Sequence, residues 1–374
     1  MKRLVDDRSM VQRILDHIDA RTTDRSDASW REPVEHYRSE ERLTVELERV
    51  FRHHPTPFCP SAALGERGSY FARDAAGTPI VAVRGRDGRV RAFRNACRHR
   101  GMQLAEGSGC EQAFVCSYHG WTYRLDGRLR HVPHENGFPG LDKDARGLVP
   151  VHTTEHHGLV FVTQDAPARV EPSLDELPEL VPPTLSVVRS SEQELPANWK
   201  ILMDGFLEGY HIRATHRETF YPLQFDNLNV VETFGRNSRV TFPYRNIEKL
   251  RAVPPAMRSV DGVLTYVYHL FPNVVVATFP TNVTMVVHEP LTVDRTRVVN
   301  FTLAAGSEHD ADEQEALQRA NDFVFAGAYE DAAIACAIQR SLSSGANEFF
   351  EFGRFEGAVS HFHRALQEAV EETP

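Results

Sequence analysis

The chain has 374 residues, of which 41% are hydrophobic and 25% charged, and its 42 basic against 52 acidic residues give a formal charge of -10. This length suits about two domains with separate cores. The acidic balance argues against nucleic acid or an anionic membrane as a partner.

The opening MKRLVDDRSM brings acidic residues before any apolar core, so no secretory signal is legible. Residues 1 to about 50 carry helix-like periodicity in VQRILDHI and ERLTVELERVF, which predicts a helical entry segment over 1–50 packing on the larger domain. From about Phe58 the texture changes to short β-rich runs, PIVAVR, VRAFRN, AFVCSY, WTYRL and GLVFV, punctuated by Gly, Asp and Pro. They predict a small antiparallel β domain over 51–166.

Two segments of that domain, CRHRG and CSYHGW, carry Cys97 with His99 and Cys116 with His119. Each loop supplies one thiolate and one imidazole, which is what a Rieske [2Fe-2S] cluster needs, because one of its irons keeps two cysteines and the other two histidines. A structural zinc ion accepts the same four ligands. Zinc modules more often draw a Cys pair from one segment and a His pair from another. Of five cysteines this leaves Cys59, Cys110 and Cys336, an odd remainder that makes no disulfide framework and suits a reducing cytoplasm. Arg98, Arg100, Arg124, Arg128 and Arg130 surround the loops as a basic cluster, either solvated or shaped to attract an acidic donor protein.

The proline-rich acidic stretch DAPARVEPSLDELPELVPPTL reads as a linker. Beyond it, over 167–374, strands such as TYVYHLF, NVVVATF, TMVVHEPL and RVVNFTLAA mix with helices at about 200–212, 311–340 and 356–371. The fold class is α+β, with helices packed on an antiparallel sheet. Val274 to Val287 is the most apolar stretch, and Pro280, Thr281 and Asn282 break it far short of a bilayer span.

The segment NWKILMDGFLEGYHIRATH holds His211 and His216, preceded by Asp204 and Glu208. In a continuous helix 204, 208 and 211 share a face. His211 and His216 would lie about 140° apart, so the helix must bend or end between them. Two imidazoles and one carboxylate make the facial triad of non-haem Fe(II) oxygenases. The close pairs His131 and His134, His156 and His157, and His361 and His363 are read as structural or surface residues.

A Rieske pattern upstream of Asn198, Trp199, Lys200, His211 and His216 resembles the α subunit of the Rieske non-haem iron oxygenases over nearly the whole chain. The resemblance implies a third ligand to a mononuclear Fe(II) in AYEDAAIACAIQRSL, at Asp331 with Glu330 as the alternative. It implies that Glu208, where the family commonly has aspartate, links His211 to a Rieske histidine, His119, of a neighbouring subunit in a homotrimer. Glutamate there resembles the subgroup that oxidises quaternary ammonium compounds. Asn198 joins the candidate catalytic residues on the same ground, and Asp204 is assigned to supporting the helix. No GxGxxG motif is present, so NAD(P)H is used only through a separate reductase, with or without a ferredoxin.

The expected activity is a terminal oxygenase that uses O2 to hydroxylate or oxidatively demethylate a small organic substrate. Phe206, Phe220, Tyr221, Phe279 and Phe323 flank the pocket segments and suit either an aromatic compound or a cation held on aromatic faces. Cis-dihydroxylation of an aromatic ring is the alternative chemistry. A Rieske electron carrier with a non-catalytic ligand-binding domain is the alternative of another class.

Overall fold

The computed structural model describes residues 4–165, 171–305 and 311–372, with the side chains of 311–317, 319 and 320 left aside. The chain divides into two compact units, one of Met1–Val50, Glu171–Leu180 and Val188–Pro374, the other of Phe51–Val170 and Val181–Val187. The expected boundary between 166 and 167 lies outside the described residues.

The smaller unit is built on a seven-stranded sheet in the order Thr56–Pro60, Leu159–Thr163, Pro150–His156, Val90–Arg94, Thr78–Arg84, Ser69–Ala75 and Gly107–Cys110. A three-stranded sheet of Phe114–Val115, Thr122–Tyr123 and Leu129–His131 stands beside it. AFVCSY and WTYRL therefore contribute only two-residue strands, because the intervening residues turn sharply to present side chains. Val81, Val83, Phe93, Phe114, Trp121 and Tyr123 form the core, and Cys97 and Cys116 are buried within it.

The larger unit centres on a second seven-stranded sheet, in the order Leu185–Leu195, Arg295–Ala305, Val283–Thr292, Val274–Thr278, Leu264–Leu270, Asn237–Pro243 and Val230–Phe234. From Arg295–Ala305 to Val230–Phe234 every neighbouring pair is antiparallel. The strand Leu264–Leu270 is buried at all its positions, which is why it reads as a nearly continuous apolar run rather than an alternating one. Helix Gly357–Glu371 packs on Asn237–Pro243 and Val230–Phe234, while helix Trp199–Phe206 packs on helix Ala311–Ser341 and on Val283–Thr292. Among the described residues no helix is long and apolar enough to cross a membrane.

The entry segment belongs to this larger unit. Helix Asp7–Ala20 buries Met10, Val11, Ile14 and Leu15, the i, i+1, i+4, i+5 stripe of an amphipathic helix. Strand Trp30–Pro33 pairs antiparallel with Phe349–Phe352. The Asn-Trp-Lys motif is the anchor on the other side. Asn198 caps helix Trp199–Phe206 through its side chain on the Lys200 amide and donates to the carbonyls of Tyr37 and Val293. Lys200 Nζ lies 2.9 Å from both carboxylate oxygens of Glu46, and Trp199 Nε1 donates to the same group. Both charges are buried, so their mutual attraction must offset a desolvation cost of several kcal/mol per ion. Asn198 is thus a fully buried helix cap and not a wall of the cavity described below, which corrects its inclusion among the catalytic residues.

The helix expected over 200–212 stops at Phe206, and a separate short helix covers Ile212–Thr215. Positions 204, 208 and 211 therefore do not share one helical face. The chain leaves the helix where Gly209 passes so close to Asn229 that an added Cβ would sit 2.3 Å from its side-chain oxygen. Only glycine fits that approach.

Candidate metal centres

In the smaller unit the two ligand-bearing loops repeat one design. Gly101 N donates to Cys97 O and Cys97 N to Met102 O; Gly120 N donates to Cys116 O and Cys116 N to Trp121 O. The closing glycines hold φ of +80° and +73°, a left-handed conformation costly for any residue with a Cβ. The sulfurs point inward, where Cys97 Sγ lies 3.2 Å from the Tyr123 hydroxyl, which also accepts from the Arg98 amide at 2.9 Å. The imidazoles lie outside. His99 Nδ1 and His119 Nδ1 approach to 3.1 Å, and His99 stacks on Trp121 with 8° between the rings.

This layering separates the two metals proposed for the quartet. Ligands of one tetrahedral zinc ion all fall within about 4 Å of one another. Among the described residues the one group of three or more His, Cys, Asp or Glu ligand atoms lying mutually within 4.8 Å is His211, His216 and Asp331. The quartet instead forms a buried sulfur pair and an outer nitrogen pair, as a two-iron cluster with mixed ligands requires. Burial, His119 and the Arg100 guanidinium hold the His99 imidazole below its ordinary value, in the neutral form that binds metal.

In the larger unit His211 Nε2 and His216 Nε2 lie 3.1 Å apart. Asp331 Oδ1, from helix Ala311–Ser341, stands 3.5 Å from the first and 2.9 Å from the second. Each imidazole is oriented from behind. Glu208 accepts from His211 Nδ1 and from the amides of Tyr210 and His211. Glu330 lies 2.7 Å from His216 Nδ1 and accepts from the Thr219 hydroxyl at 2.7 Å. Glu330 therefore addresses the nitrogen facing away from Asp331, a role that the sequence alone does not distinguish from that of a rival ligand. Burial opposes charge on His211, but Glu208 and Asp331 outweigh it and raise the imidazole above its ordinary value; a cation at the triad takes the place of that proton. Two nitrogens and one carboxylate oxygen around a shared point fit a ferrous ion with coordination positions left open.

The triad stands on the wall of a cavity of about 1250 Å³, which Phe206, Phe220, Phe279 and Phe325 also line. Tyr221 and Phe323 do not line it. Phe323 backs Phe220 edge-on at 5.3 Å, and Tyr221 receives the Arg245 guanidinium at 5.2 Å. Asp204 reaches the wall, and its carboxylate is held by Tyr37 and His363. Of the arginines near the cluster loops, Arg128 is paired with Asp126 and Arg100 with the Tyr118 hydroxyl, while Arg124 and Arg130 are exposed.

Residues 182–372 match the ring-hydroxylating α-subunit catalytic domain family, and residues 54–151 match the Rieske [2Fe-2S] domain. The chain belongs to the Rieske non-haem iron oxygenases. Among its relatives, the carnitine monooxygenase oxygenase subunit of Escherichia coli strain K12 is 28% identical over 92% of this chain and 95% of its own length. The protein of the same description from Acinetobacter pittii is 32% identical over 58% of this chain, an alignment that spans 62% of that relative. A crystal structure of a quaternary ammonium Rieske monooxygenase superposes with a TM-score of 0.79 at 23% identity, covering 92% of this chain and 96% of that one. The oxygenase fold is thus a Rieske domain joined to a catalytic domain of antiparallel sheet and helices, and the cofactors of the family are the Rieske cluster and a mononuclear iron.

Proposed function

We propose that the chain is the terminal oxygenase of a multicomponent system, using O2 and electrons from a separate reductase to oxidise a quaternary ammonium compound by monooxygenation or oxidative demethylation. The observation that carries this reading is the convergence of His211 Nε2, His216 Nε2 and Asp331 Oδ1 on an aromatic-lined cavity. Aromatic faces attract a cation whose charge is spread over methyl groups and which offers no hydrogen-bond donor. The names of the relatives point to the same substrate class.

Cys97, His99, Cys116 and His119 would hold the cluster, and His211, His216 and Asp331 the ferrous ion. When bound, the cluster supplies single electrons and the iron supplies oxygen activation. The chain's own contribution is geometric. Glu208 and Glu330 hold the two imidazoles in the tautomer that presents Nε2 to the metal, and the phenylalanines hold the substrate and exclude water. In a homotrimer the partner subunit's His119 would approach Glu208, which already grips His211, so that one carboxylate connects the two centres.

Oxygen uptake by the iron-loaded protein with a surrogate reductase tests this, with mass analysis of products under labelled oxygen. Uptake coupled to oxidation of trimethylammonium substrates, with one labelled atom inserted, is the expected result. Coupled turnover of neutral aromatic compounds only, or insertion of two labelled atoms into a ring, overturns the substrate assignment.

A further inference from the structure

A line of titratable side chains leads away from the catalytic cavity and is not needed to hold either metal. Asp204 stands on the cavity wall, and its Oδ1 lies 2.8 Å from His363 Nε2. Its Oδ2 accepts from the Tyr37 hydroxyl at 2.9 Å. The other nitrogen of His363, Nδ1, has no hydrogen-bond partner and lies 3.6 Å from Glu32 Oε1. That same oxygen is 2.6 Å from His36 Nδ1. His363 is fully buried and Glu32 nearly so, whereas 28% of the His36 side chain is exposed.

We propose that His36, Glu32, His363 and Asp204 form a proton relay from solvent to the catalytic cavity. Inserting one oxygen atom follows R–H + O2 + 2e⁻ + 2H⁺ → R–OH + H2O, so each turnover draws two electrons from the donor protein and two protons from water. In the relay, solvent protonates His36, whose Nδ1 proton passes to Glu32 Oε1. Glu32 passes a proton to His363 Nδ1, and His363 releases its Nε2 proton to Asp204 Oδ1 at the cavity wall. Each step breaks one N–H or O–H bond and forms another, and no relay group changes oxidation state.

Two of the three links, His36 to Glu32 and His363 to Asp204, are already at hydrogen-bonding distance. Only the passage from Glu32 to His363 exceeds a hydrogen bond, and a shift of roughly 0.6 Å closes it. Other titratable groups face the line, among them the buried Lys200–Glu46 pair, which acts on Glu32 and Tyr37. Burial and the charge of Asp204 hold the Tyr37 hydroxyl well above its ordinary value, so it stays a donor to Asp204. From the sheet, His269 is pushed down to about 3 by burial and remains neutral beside His363. At the start of the last helix Glu356 faces Asp204, and burial, with the charges of Glu208 and Asp204, holds it up at about 7. Burial raises Glu32, but the bonds from His36 and Trp30 and the charge of His363 prevail and lower it; an ionised acceptor thus sits between two imidazoles.

This inference rests on the oxygenase reading and not on the identity of the substrate. Its test is product formation by holoenzyme in His36→Ala, with excess electron donor and graded concentrations of free imidazole. His36 is partly exposed but is a partner of the buried Glu32 carboxylate, so the variant is compared with the unmodified protein by melting temperature and iron content before turnover is measured. The expected result is a roughly tenfold fall in kcat with little change in KM, restored by imidazole, and a larger solvent deuterium isotope effect. An unchanged kcat overturns the relay, as does a fall that imidazole leaves untouched. Histidine NMR of the metal-free protein gives a reading free of turnover. Titration of His36 should move the His363 signals with the same midpoint, and Glu32→Gln should abolish that coupling; independent titration of the two rings in the unmodified protein overturns the relay. If the unmodified holoenzyme takes up no oxygen with any substrate, the oxygenase reading fails instead.

Discussion

Glu330 and Asp331, adjacent in sequence, address opposite nitrogens of the same imidazole, that of His216. Their removal should therefore have different consequences. Asp331→Ala takes away one of three ligand atoms and should abolish ferrous iron binding in a calorimetric titration. Glu330→Gln keeps the ligand set but weakens the hold on ring orientation, and should lower iron affinity by roughly 10- to 100-fold. Equal losses in the two variants would contradict this division of labour.

Glu208 grips the Nδ1 of His211 and two backbone amides. Glu208→Gln should retain both metals by iron analysis, at about three irons per chain, while substrate oxidation falls roughly 10- to 100-fold. Full activity in a variant that keeps its metals would remove the carboxylate from the path between the centres.

The Tyr123 hydroxyl lies 3.2 Å from Cys97 Sγ. A hydrogen bond to a cluster thiolate favours the reduced form, whose sulfur carries more negative charge. A bond worth about 1 kcal/mol corresponds to roughly 40 mV for a one-electron couple. Tyr123→Phe should thus lower the cluster potential by that order in a redox titration followed by visible absorbance. A potential that stays still or rises would show that the hydroxyl serves the Arg98 amide alone.

Glu356 is held at about 7 against an ordinary 4.5, chiefly by burial. Because its folded value is raised, its contribution to stability is complete below about 4.5 and is lost as pH rises through about 7. Metal-free protein should lose melting temperature between about pH 5 and about pH 8, and Glu356→Gln should flatten that slope. Ferrous iron adds positive charge nearby and should shrink the effect. A steeper slope in the variant would reverse the assignment.

Arg124 and Arg130 of the smaller unit are both exposed, while Arg128 is already paired with Asp126. Reversing either exposed charge should slow electron delivery from an acidic donor protein by about tenfold at low salt. Reduction by a small chemical reductant should be unaffected. Equal loss in both assays would point to damage at the cluster rather than to docking.

Much of this arrangement is legible in the sequence because side-chain chemistry repeats at short spacing. Cys97 with His99 and Cys116 with His119 are each local pairs, and a local turn closed by glycine suffices to present them. His211 and His216 are legible for the same reason, but the break between helix Trp199–Phe206 and helix Ile212–Thr215 is not, because the close approach of Gly209 to Asn229 within it is a tertiary contact. Asn198 shows the opposite failure. It belongs to the motif, yet its partners Tyr37 and Val293 are distant in sequence, and they make it a cap. Glu330 and Asp331 were indistinguishable by type, and only the turn of their helix assigns each to its nitrogen.

The entry segment packs on residues that follow much later in the chain. Tyr37 and His363 meet across 326 positions. At about 5–20 residues per second, the tyrosine leaves the ribosome roughly 16 to 65 s before its histidine. For that interval Tyr37, which ends fully buried, lacks its histidine partner, while the sequence of the smaller unit is translated between. The order of synthesis thus leaves the joint between Tyr37 and the last helix to be closed only when the end of the chain has been made.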